Sequence, residues 1–199
     1  MPRFAANLSM LWSELPFLDR FEAAAKAGFK AVEFLFPYDH PAEAIARLLK
    51  ANGLELVLHN LPPGDWAAGE RGMACIPGRE GEFRAGVAKA AEYAPVIGVQ
   101  RWHCMAGLKP VGVSEAQARA TWVGNVRFAA AEAKKLGLPL LIEPINSFDM
   151  PGYFVNRPRQ AIEMMDEVGA DNVFLQYDIY HAQRMEGELC NTIRDLLPR

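Results

Sequence analysis

Two carboxylates end two strand-like segments of the sequence, and a histidine follows the second. Glu143 comes directly after the apolar run 138–142. Asp178 ends the run 173–177, and His181 lies three residues further on. Residues at the carboxyl ends of parallel strands face the active sites of α/β proteins. Because Mg²⁺ and Mn²⁺ prefer oxygen ligands, the two acids predict half of a site for such a divalent cation.

A site of this kind favours chemistry on a carbonyl compound. A divalent cation polarises a carbonyl oxygen and orients the substrate. Where a hydroxyl-bearing carbon adjoins the carbonyl, the enediolate is stabilised and a nearby carboxylate moves the proton. Two simpler interpretations stay open at this point. Asp178 is equally suited to cap the helix that begins there, and Glu143 could form an ion pair with a surface lysine.

The segments that position these residues alternate between strand-like and helix-like patterns. The predicted strands are 3–9, 31–36, 54–60, 99–105, 138–143 and 172–178; the predicted helices are 16–27, 41–51, 80–97, 114–136, 158–168 and 179–196. Six such units predict a parallel α/β sheet covered by helices. An open doubly wound sheet and a (β/α)₈ TIM barrel both fit. No glycine-rich turn follows the first strand, and polar residues follow all six strands, so we predict the barrel, as one domain over 1–199 without a nucleotide cofactor.

The length of the chain conflicts with a closed barrel. Eight units need roughly 250 residues, whereas this chain has 199. We therefore expect about six of the eight units, with strands seven and eight missing and the domain incomplete. Such a barrel would leave the edges of its first and sixth strands unpaired.

One segment, 61–79, predicts neither helix nor strand. It contains four glycines and three prolines, and loops longer than about 12–15 residues in a compact domain are usually functional. We predict a lid over the substrate, with an ordered surface loop as the alternative. Trp66 is a candidate pocket wall within it. His103, by contrast, is interpreted as a hydrogen-bonded core residue.

Composition excludes several classes of protein. The formal net charge of −3, with scattered Lys and Arg, gives no sign of a nucleic-acid surface. Three widely spaced cysteines predict neither a disulfide framework nor a zinc site. The N-terminal residues lack the apolar core of a signal peptide, and no apolar stretch approaches the roughly 18–20 residues of a membrane span. We expect a cytoplasmic protein without a membrane partner.

Several longer motifs are more specific than the alternating pattern. They are NLSML (7–11), VEF (32–34), FPY (36–38), HNLP (59–62), GDWAAGERG (64–72), IPGR (76–79), LIEPIN (141–146), QYDIYH (176–181) and QRMEGEL (183–189). Together they resemble the hydroxypyruvate isomerases of the xylose-isomerase-like TIM-barrel superfamily, essentially from end to end. The resemblance implies interconversion of hydroxypyruvate and 2-hydroxy-3-oxopropanoate.

The resemblance also implies roles for individual residues. Glu143 matches the proton donor and acceptor that ends strand five. Glu143 and Asp178 match two of four metal ligands. The other two ligands, one of them a second proton-transferring glutamate, belong to strands seven and eight and have no counterpart in these residues.

The substrate implied is a small carboxylated hydroxy-carbonyl compound. We expect His59 and His181 to contact it and Arg71 to pair with its carboxylate, because a guanidinium can bind a carboxylate through two hydrogen bonds. Three alternatives remain: a 2-oxo-tetronate isomerase, an inactive remnant, and a metal-dependent DNA-repair nuclease, which the acidic composition disfavours. Whether the chain forms a homo-oligomer stays open.

Overall fold

The computed structural model describes residues 2–197, so residues 1, 198 and 199 of the predicted domain lie outside it. Within that range, strands and helices alternate as predicted. The strands are β1 (Ala6–Asn7), β2 (Ala31–Phe34), β3 (Glu55–Asn60), β4 (Trp102–His103), β5 (Leu140–Ile142) and β6 (Val173–Leu175). The helices are α1 (Arg20–Lys26, after a 3₁₀ turn at Phe17–Asp19), α2 (Ala42–Ala51), α3 (Glu80–Ile97), α4 (Glu115–Lys135), α5 (Pro158–Val168), α6 (Ile179–Met185) and α7 (Leu189–Leu196).

The sheet decides between the two predicted architectures. All neighbouring strands are parallel, and their order is β1-β2-β3-β4-β5-β6. In a doubly wound sheet all strands are parallel, but their order in space reverses at an internal strand. In a barrel each strand lies beside the previous one in the sequence. The order is therefore that of a barrel. In the part of the chain that the structure describes, β1 and β6 each pair with one neighbour only.

The longest helix shows how the outer layer forms. Ser114 caps α4 through a capping box: its hydroxyl accepts from the N–H of Gln117, and the Gln117 side chain accepts from the N–H of Ser114. Caps of this kind are worth about 1 kcal/mol. Trp122, Val126 and Ala129 lie on one face of α4 and are fully buried. This apolar face packs the helix onto the sheet.

One of the predicted helices is wrong. The segment 179–196 forms two helices, because Gly187 and Glu188 adopt left-handed backbone angles of φ 69° and φ 49° between them. The helix predicted over 80–97 is confirmed as α3, and Pro95 lies inside it. The helix continues to Ile97 and ends at Gly98, whose φ of 65° is left-handed, as is usual for a glycine after a helix.

The segment 61–79 is only partly a surface loop. Residues 73–75 are buried, and the N–H of Cys75 donates to the carbonyl of Ala106 at 2.9 Å. The buried Asn125 side chain donates to the carbonyl of Ala74 at 3.0 Å. Its second half is therefore fixed to the barrel. We call residues 64–71, which remain the exposed part, the loop tip.

Cys75, Cys104 and Cys190 are free thiols, and the first two are buried. None of the helices within residues 2–197 is long and apolar enough to cross a bilayer.

Candidate active site at the carboxyl end of the sheet

Glu143 follows β5 directly and is a buried carboxyl. The Gln176 amide donates to its Oε1 at 3.0 Å. The pKa of Glu143 is raised to about 8, mainly by burial and also by the nearby charges of Asp178 and Glu33, against the Gln176 hydrogen bond, which lowers it. A pKa in that range suits a group that both accepts and donates protons near neutral pH.

Asp178 lies three residues beyond β6 and has two roles in the structure. Its Oδ1 accepts from the N–H of His181 at 2.9 Å, so it caps α6. It also belongs to a cluster with Glu143 and His181, in which the nearest ligand atoms all lie within 4.8 Å of one another. Capping therefore fixes the carboxylate beside Glu143.

The proton of His181 is positioned by Asn146. The Oδ1 of Asn146 accepts from the N–H groups of Phe148 at 3.0 Å and Asp149 at 2.9 Å. Its Nδ2 therefore points the other way and donates to Nδ1 of His181 at 2.8 Å. A neutral imidazole that accepts at Nδ1 carries its proton on Nε2. His181 is thus prepared to donate a hydrogen bond from Nε2.

His103, at the end of β4, borders the same cluster. Its Nδ1 lies 3.1 Å from Oδ1 of the Asn60 side chain, and its Nε2 lies 3.9 Å from Oε2 of Glu143. Burial lowers the pKa of His103 to about 3, so the ring is neutral at pH 7. It is the hydrogen-bonded core residue that the sequence predicts, and it is also a neighbour of the candidate acid.

His59, on β3, is buried on the other side of Asn60. Its Nδ1 lies 3.0 Å from the carbonyl of Asn60 and 3.4 Å from the hydroxyl of Tyr38. Burial lowers the pKa of His59 to about 4, against the hydrogen bond to Asn60, which raises it. In the part of the chain that the structure describes, the Nε2 atom of His59 is buried without a hydrogen-bond partner. Through Asn60, His59 and His103 form one connected pair of neutral rings.

A third carboxyl, Glu33 on β2, adds negative charge to this end of the sheet. The Asn7 amide donates to its Oε1 at 2.9 Å. Burial raises the pKa of Glu33 and the charge of Asp178 raises it too, while Asn7 and Arg101 lower it. Three carboxyl groups thus influence one another at this end of the sheet.

Arg71 makes its contacts within the loop tip. Its guanidinium donates to the carbonyls of Trp66 at 3.1 Å and Glu70 at 2.7 Å, and it lies 3.9 Å from the centre of the Trp66 ring. The Trp66 ring packs against Phe36 at 5.1 Å. Arg71 therefore stabilises the loop tip on itself, and its predicted contact with a substrate carboxylate stays a prediction.

A groove of about 720 Å³ lies under the loop tip, between the segment after β2 and α3. Phe36, Tyr38 and Trp66 are among its lining residues, whereas Glu143 and Asp178 are not. Trp66, which the sequence predicts to form a pocket wall, lines this groove. We place the chemistry at the acids rather than in the groove, because perturbed carboxyls carry the reactivity.

The donor set fits a hard divalent cation. Burial and the charge of Asp178 make the ionisation of Glu143 costly, and a cation beside the two carboxylates would remove that cost. The ring of His103, whose Nε2 lies 3.9 Å from Oε2 of Glu143, is kept neutral by burial and does not supply this positive charge. His181 presents a protonated Nε2 and therefore serves better as a donor than as a ligand. The two carboxylates are the residues that would hold Mg²⁺ or Mn²⁺.

Sequence patterns find the acids but not their partners. Glu143 and Asp178 could be found because acids rarely end apolar segments. Gln176 and His103 were missed as site residues, since a buried amide or imidazole is usually a satisfied core residue. The available signal for His103 was its position, a polar residue at the carboxyl end of a parallel strand.

The chain is similar along nearly its whole length to named proteins. The model of the xylose isomerase-like TIM barrel family matches residues 21–197. A hydroxypyruvate isomerase of Escherichia coli K12 is 56% identical over 97% of this chain and 75% of its own length. A 2-oxo-tetronate isomerase of Cupriavidus necator is 54% identical over 98% of this chain and 75% of its own. A crystal structure titled AP endonuclease, family 2, from Brucella melitensis superposes with a TM-score of 0.95 at 49% identity, covering 98% of this chain and 75% of that one.

Proposed function

The chain belongs to the xylose isomerase-like TIM barrel family, and we propose that it is an isomerase that interconverts hydroxypyruvate and 2-hydroxy-3-oxopropanoate. One observation carries the proposal: Glu143 is a buried carboxyl with a pKa raised to about 8, beside a second acid at the carboxyl end of the sheet. Relatives that are 54–56% identical bear the names of isomerases of hydroxypyruvate or 2-oxo-tetronate.

Glu143 moves the proton in this proposal. Its carboxylate removes a proton from C3 of hydroxypyruvate, which leaves an enediolate across C2 and C3. The same proton, or one from solvent, then adds to C2, while the proton of the C3 hydroxyl passes to the C2 oxygen and C3 becomes the aldehyde. A carboxyl whose pKa lies near the working pH can perform both steps. Gln176 holds Oε1 of Glu143 at 3.0 Å and thereby fixes its orientation.

The substrate oxygens need donors and positive charge. A divalent cation held by Glu143 and Asp178 would polarise the carbonyl and stabilise the enediolate. His181 donates from Nε2 to a substrate oxygen, and Asn146 fixes the tautomer that permits this. His59 offers its unpaired Nε2 as a second polar contact, and Arg71 pairs with the substrate carboxylate once the loop tip closes.

Two rival functions are separable. A 2-oxo-tetronate isomerase would perform the same proton transfer on a longer substrate. A nuclease is suggested by the name of the Brucella melitensis structure. The present chain has 21 Lys and Arg against 24 Asp and Glu, and such a balance lacks the basic surface with which proteins bind nucleic acid phosphates.

The test compares initial rates on the two substrates. We expect the protein, supplied with Mg²⁺ or Mn²⁺, to isomerise hydroxypyruvate with a higher kcat/KM than 2-oxo-tetronate. The reverse ratio would assign it to the longer substrate. A folded protein that turns over neither compound would contradict the proposal and favour an inactive remnant.

A further inference from the structure

His103 presents an unsatisfied acceptor to the candidate active site. The side chain is 2% exposed, yet its Nε2 atom is buried without a hydrogen-bond partner among residues 2–197. Buried polar atoms are normally paired, so an exception that points at a functional group needs an explanation. The neighbour that it faces is Glu143, whose Oε2 lies 3.9 Å away.

The other ring nitrogen determines what Nε2 can do. Nδ1 lies 3.1 Å from Oδ1 of Asn60. Because an amide oxygen can only accept, Nδ1 carries the proton and donates the hydrogen bond. The backbone of Asn60 is itself held, because its N–H donates to the carbonyl of Leu35 at 2.9 Å and its carbonyl accepts from the Tyr38 hydroxyl at 2.7 Å. With the proton on Nδ1, the Nε2 atom of the neutral ring carries a lone pair. His103 can therefore accept a hydrogen bond there but cannot donate one.

His103 and Glu143 do not bond to each other directly. Hydrogen bonds to nitrogen need roughly 2.7–3.2 Å between heavy atoms, so 3.9 Å is too long for direct bonding. A hydroxyl oxygen beside both atoms could donate to Nε2 while the carbon that bears it faces the carboxyl.

We propose that His103 accepts a hydrogen bond from the substrate hydroxyl on the carbon from which Glu143 removes a proton, and so selects substrates that carry this hydroxyl. The inference rests on the proposed function. It adds a residue that distinguishes hydroxypyruvate from pyruvate, which has a methyl group at the same carbon. A buried acceptor left unpaired by the methyl compound is an effective means of rejection.

Two carboxylic acids that the enzyme cannot isomerise test this hydrogen bond separately from catalysis. Glycerate carries the C3 hydroxyl and lactate carries a methyl group in its place, and both keep the carboxylate and the C2 oxygen. Their dissociation constants would be measured by calorimetry with Mn²⁺ present. We expect the wild-type protein to bind glycerate about tenfold more tightly than lactate, the usual scale for one hydrogen bond to a buried group.

Two substitutions separate the ring nitrogens. In His103→Asn the amide nitrogen stands near Nδ1 and keeps the bond to Asn60, but nothing replaces Nε2. We expect the preference for glycerate to disappear while the affinity for lactate stays within about twofold. In His103→Gln the amide oxygen reaches the position of Nε2, and part of the preference should return.

A measurement on the unaltered protein covers the case in which the variants fail to fold. The chain has four histidines, and their ¹⁵N ring resonances are resolvable by NMR. Glycerate should shift the Nε2 resonance assigned to His103, and lactate should not. An unchanged spectrum, or equal affinity of the wild type for both acids, would overturn the inference.

The outcomes distinguish this inference from the proposed function. If the wild type isomerises hydroxypyruvate but His103→Asn keeps the preference for glycerate, the role of His103 is wrong and the isomerase stands. Equal weakening of both acids would mean that His103 only supports the packing. If the wild type neither binds the acids nor turns over hydroxypyruvate, both proposals fail.

Discussion

At the scale of single residues, Glu143 is held in a state that costs stability. Burial and the charge of Asp178 both disfavour its ionised form. A surface glutamate would avoid this cost, but with an ordinary pKa it would be ionised at neutral pH, so it would be a weaker base and would have no proton to donate. The free energy of unfolding should therefore change with the ionisation of this one group.

Stability should fall as pH rises through the range in which Glu143 ionises. Its pKa is about 8 in the folded protein against an ordinary value of 4.5, so between these values the folded state binds more protons than the unfolded state. Stability is then fullest below about pH 4.5 as far as this group is concerned, and it is lost as pH approaches 8. Glu143→Gln should remove this loss and raise Tm at pH 8–9 by a few degrees.

Thermal melts from pH 5 to 9 in the presence of a chelator measure this effect. Glu22→Gln is the matched control, because Glu22 is exposed and pairs with Lys26 on the surface of α1. The control should follow the wild-type pH profile. A Glu143→Gln profile parallel to the wild type would show that Glu143 ionises as an ordinary glutamate.

Arg71 provides a second prediction at this scale. If it pairs with the substrate carboxylate, Arg71→Ala should raise KM for hydroxypyruvate by about tenfold or more and leave KM for glyceraldehyde, which has no carboxylate, nearly unchanged. Arg84→Ala is the control, since Arg84 also lies over an aromatic ring, that of Phe128. Equal effects on both substrates would assign Arg71 to loop packing alone.

The residues that the sequence predicts are those whose type is unusual for their place. An acid after an apolar strand, as at Glu143, is such a case. The role of His103 and the tautomer of His181 depend instead on Asn60 and Asn146, which hydrogen-bond them across 43 and 35 residues of sequence. Pair geometry of that kind is set by the fold and leaves no local pattern.

At the scale of elements, the segment 61–79 joins an exposed loop tip to an anchored half. Gly72 marks the junction. A Cβ atom there would lie 2.5 Å from the carbonyl oxygen of Met105, and its φ is 107°. Gly69, in the loop tip, has a φ of 95° and nothing within 4 Å of its Cβ position. Both positions have backbone angles that would strain any other residue, but only Gly72 has a neighbour that an added Cβ would meet.

This pair separates strain from close packing. Gly69→Ala should lower the free energy of unfolding by about 1 kcal/mol, the cost of a left-handed backbone. Gly72→Ala should lower it by about 3 kcal/mol or more, because the backbone of Met105 would have to move as well. Denaturant unfolding measures both. Equal losses would mean that the loop is not packed closely against the segment after β4.

Strand positions were predicted correctly, whereas most strand lengths were not. The segment 99–105 was expected to be a strand, but β4 comprises Trp102–His103 only. Val99, Cys104 and Met105 are nevertheless buried. Apolar patterns report burial, and burial continues beyond the last residue that pairs with a neighbouring strand.

At the scale of the whole molecule, the sequential parallel sheet has a centre and two margins. β3 and β4 pair on both sides, while in residues 2–197 β1 and β6 pair on one side only. We expect the backbone amides of β3 and β4 to exchange with solvent deuterium at least about tenfold more slowly than those of β1 and β6. Equal protection of β6 and β4 would indicate a further partner along the edge of β6.

The barrel order itself could be predicted, because six alternating units without a glycine-rich turn left few topologies. The set of residues that form the site could be found only from the fold. β2, β4, β5 and β6 each end near one acid or histidine of the site, and only their parallel arrangement collects residues that lie up to 148 positions apart, from Glu33 to His181.

Proton exchange at C3 of hydroxypyruvate tests the central claim most directly. In D₂O with Mn²⁺, the wild-type protein should exchange a C3 hydrogen for deuterium, because Glu143 removes it reversibly. Glu143→Gln should retain substrate affinity and lower the exchange rate by about 10² or more, the usual scale for an acid–base group. Mass spectrometry of recovered substrate measures both rates. Exchange by Glu143→Gln at close to the wild-type rate would contradict the account, since another group would then be moving the proton.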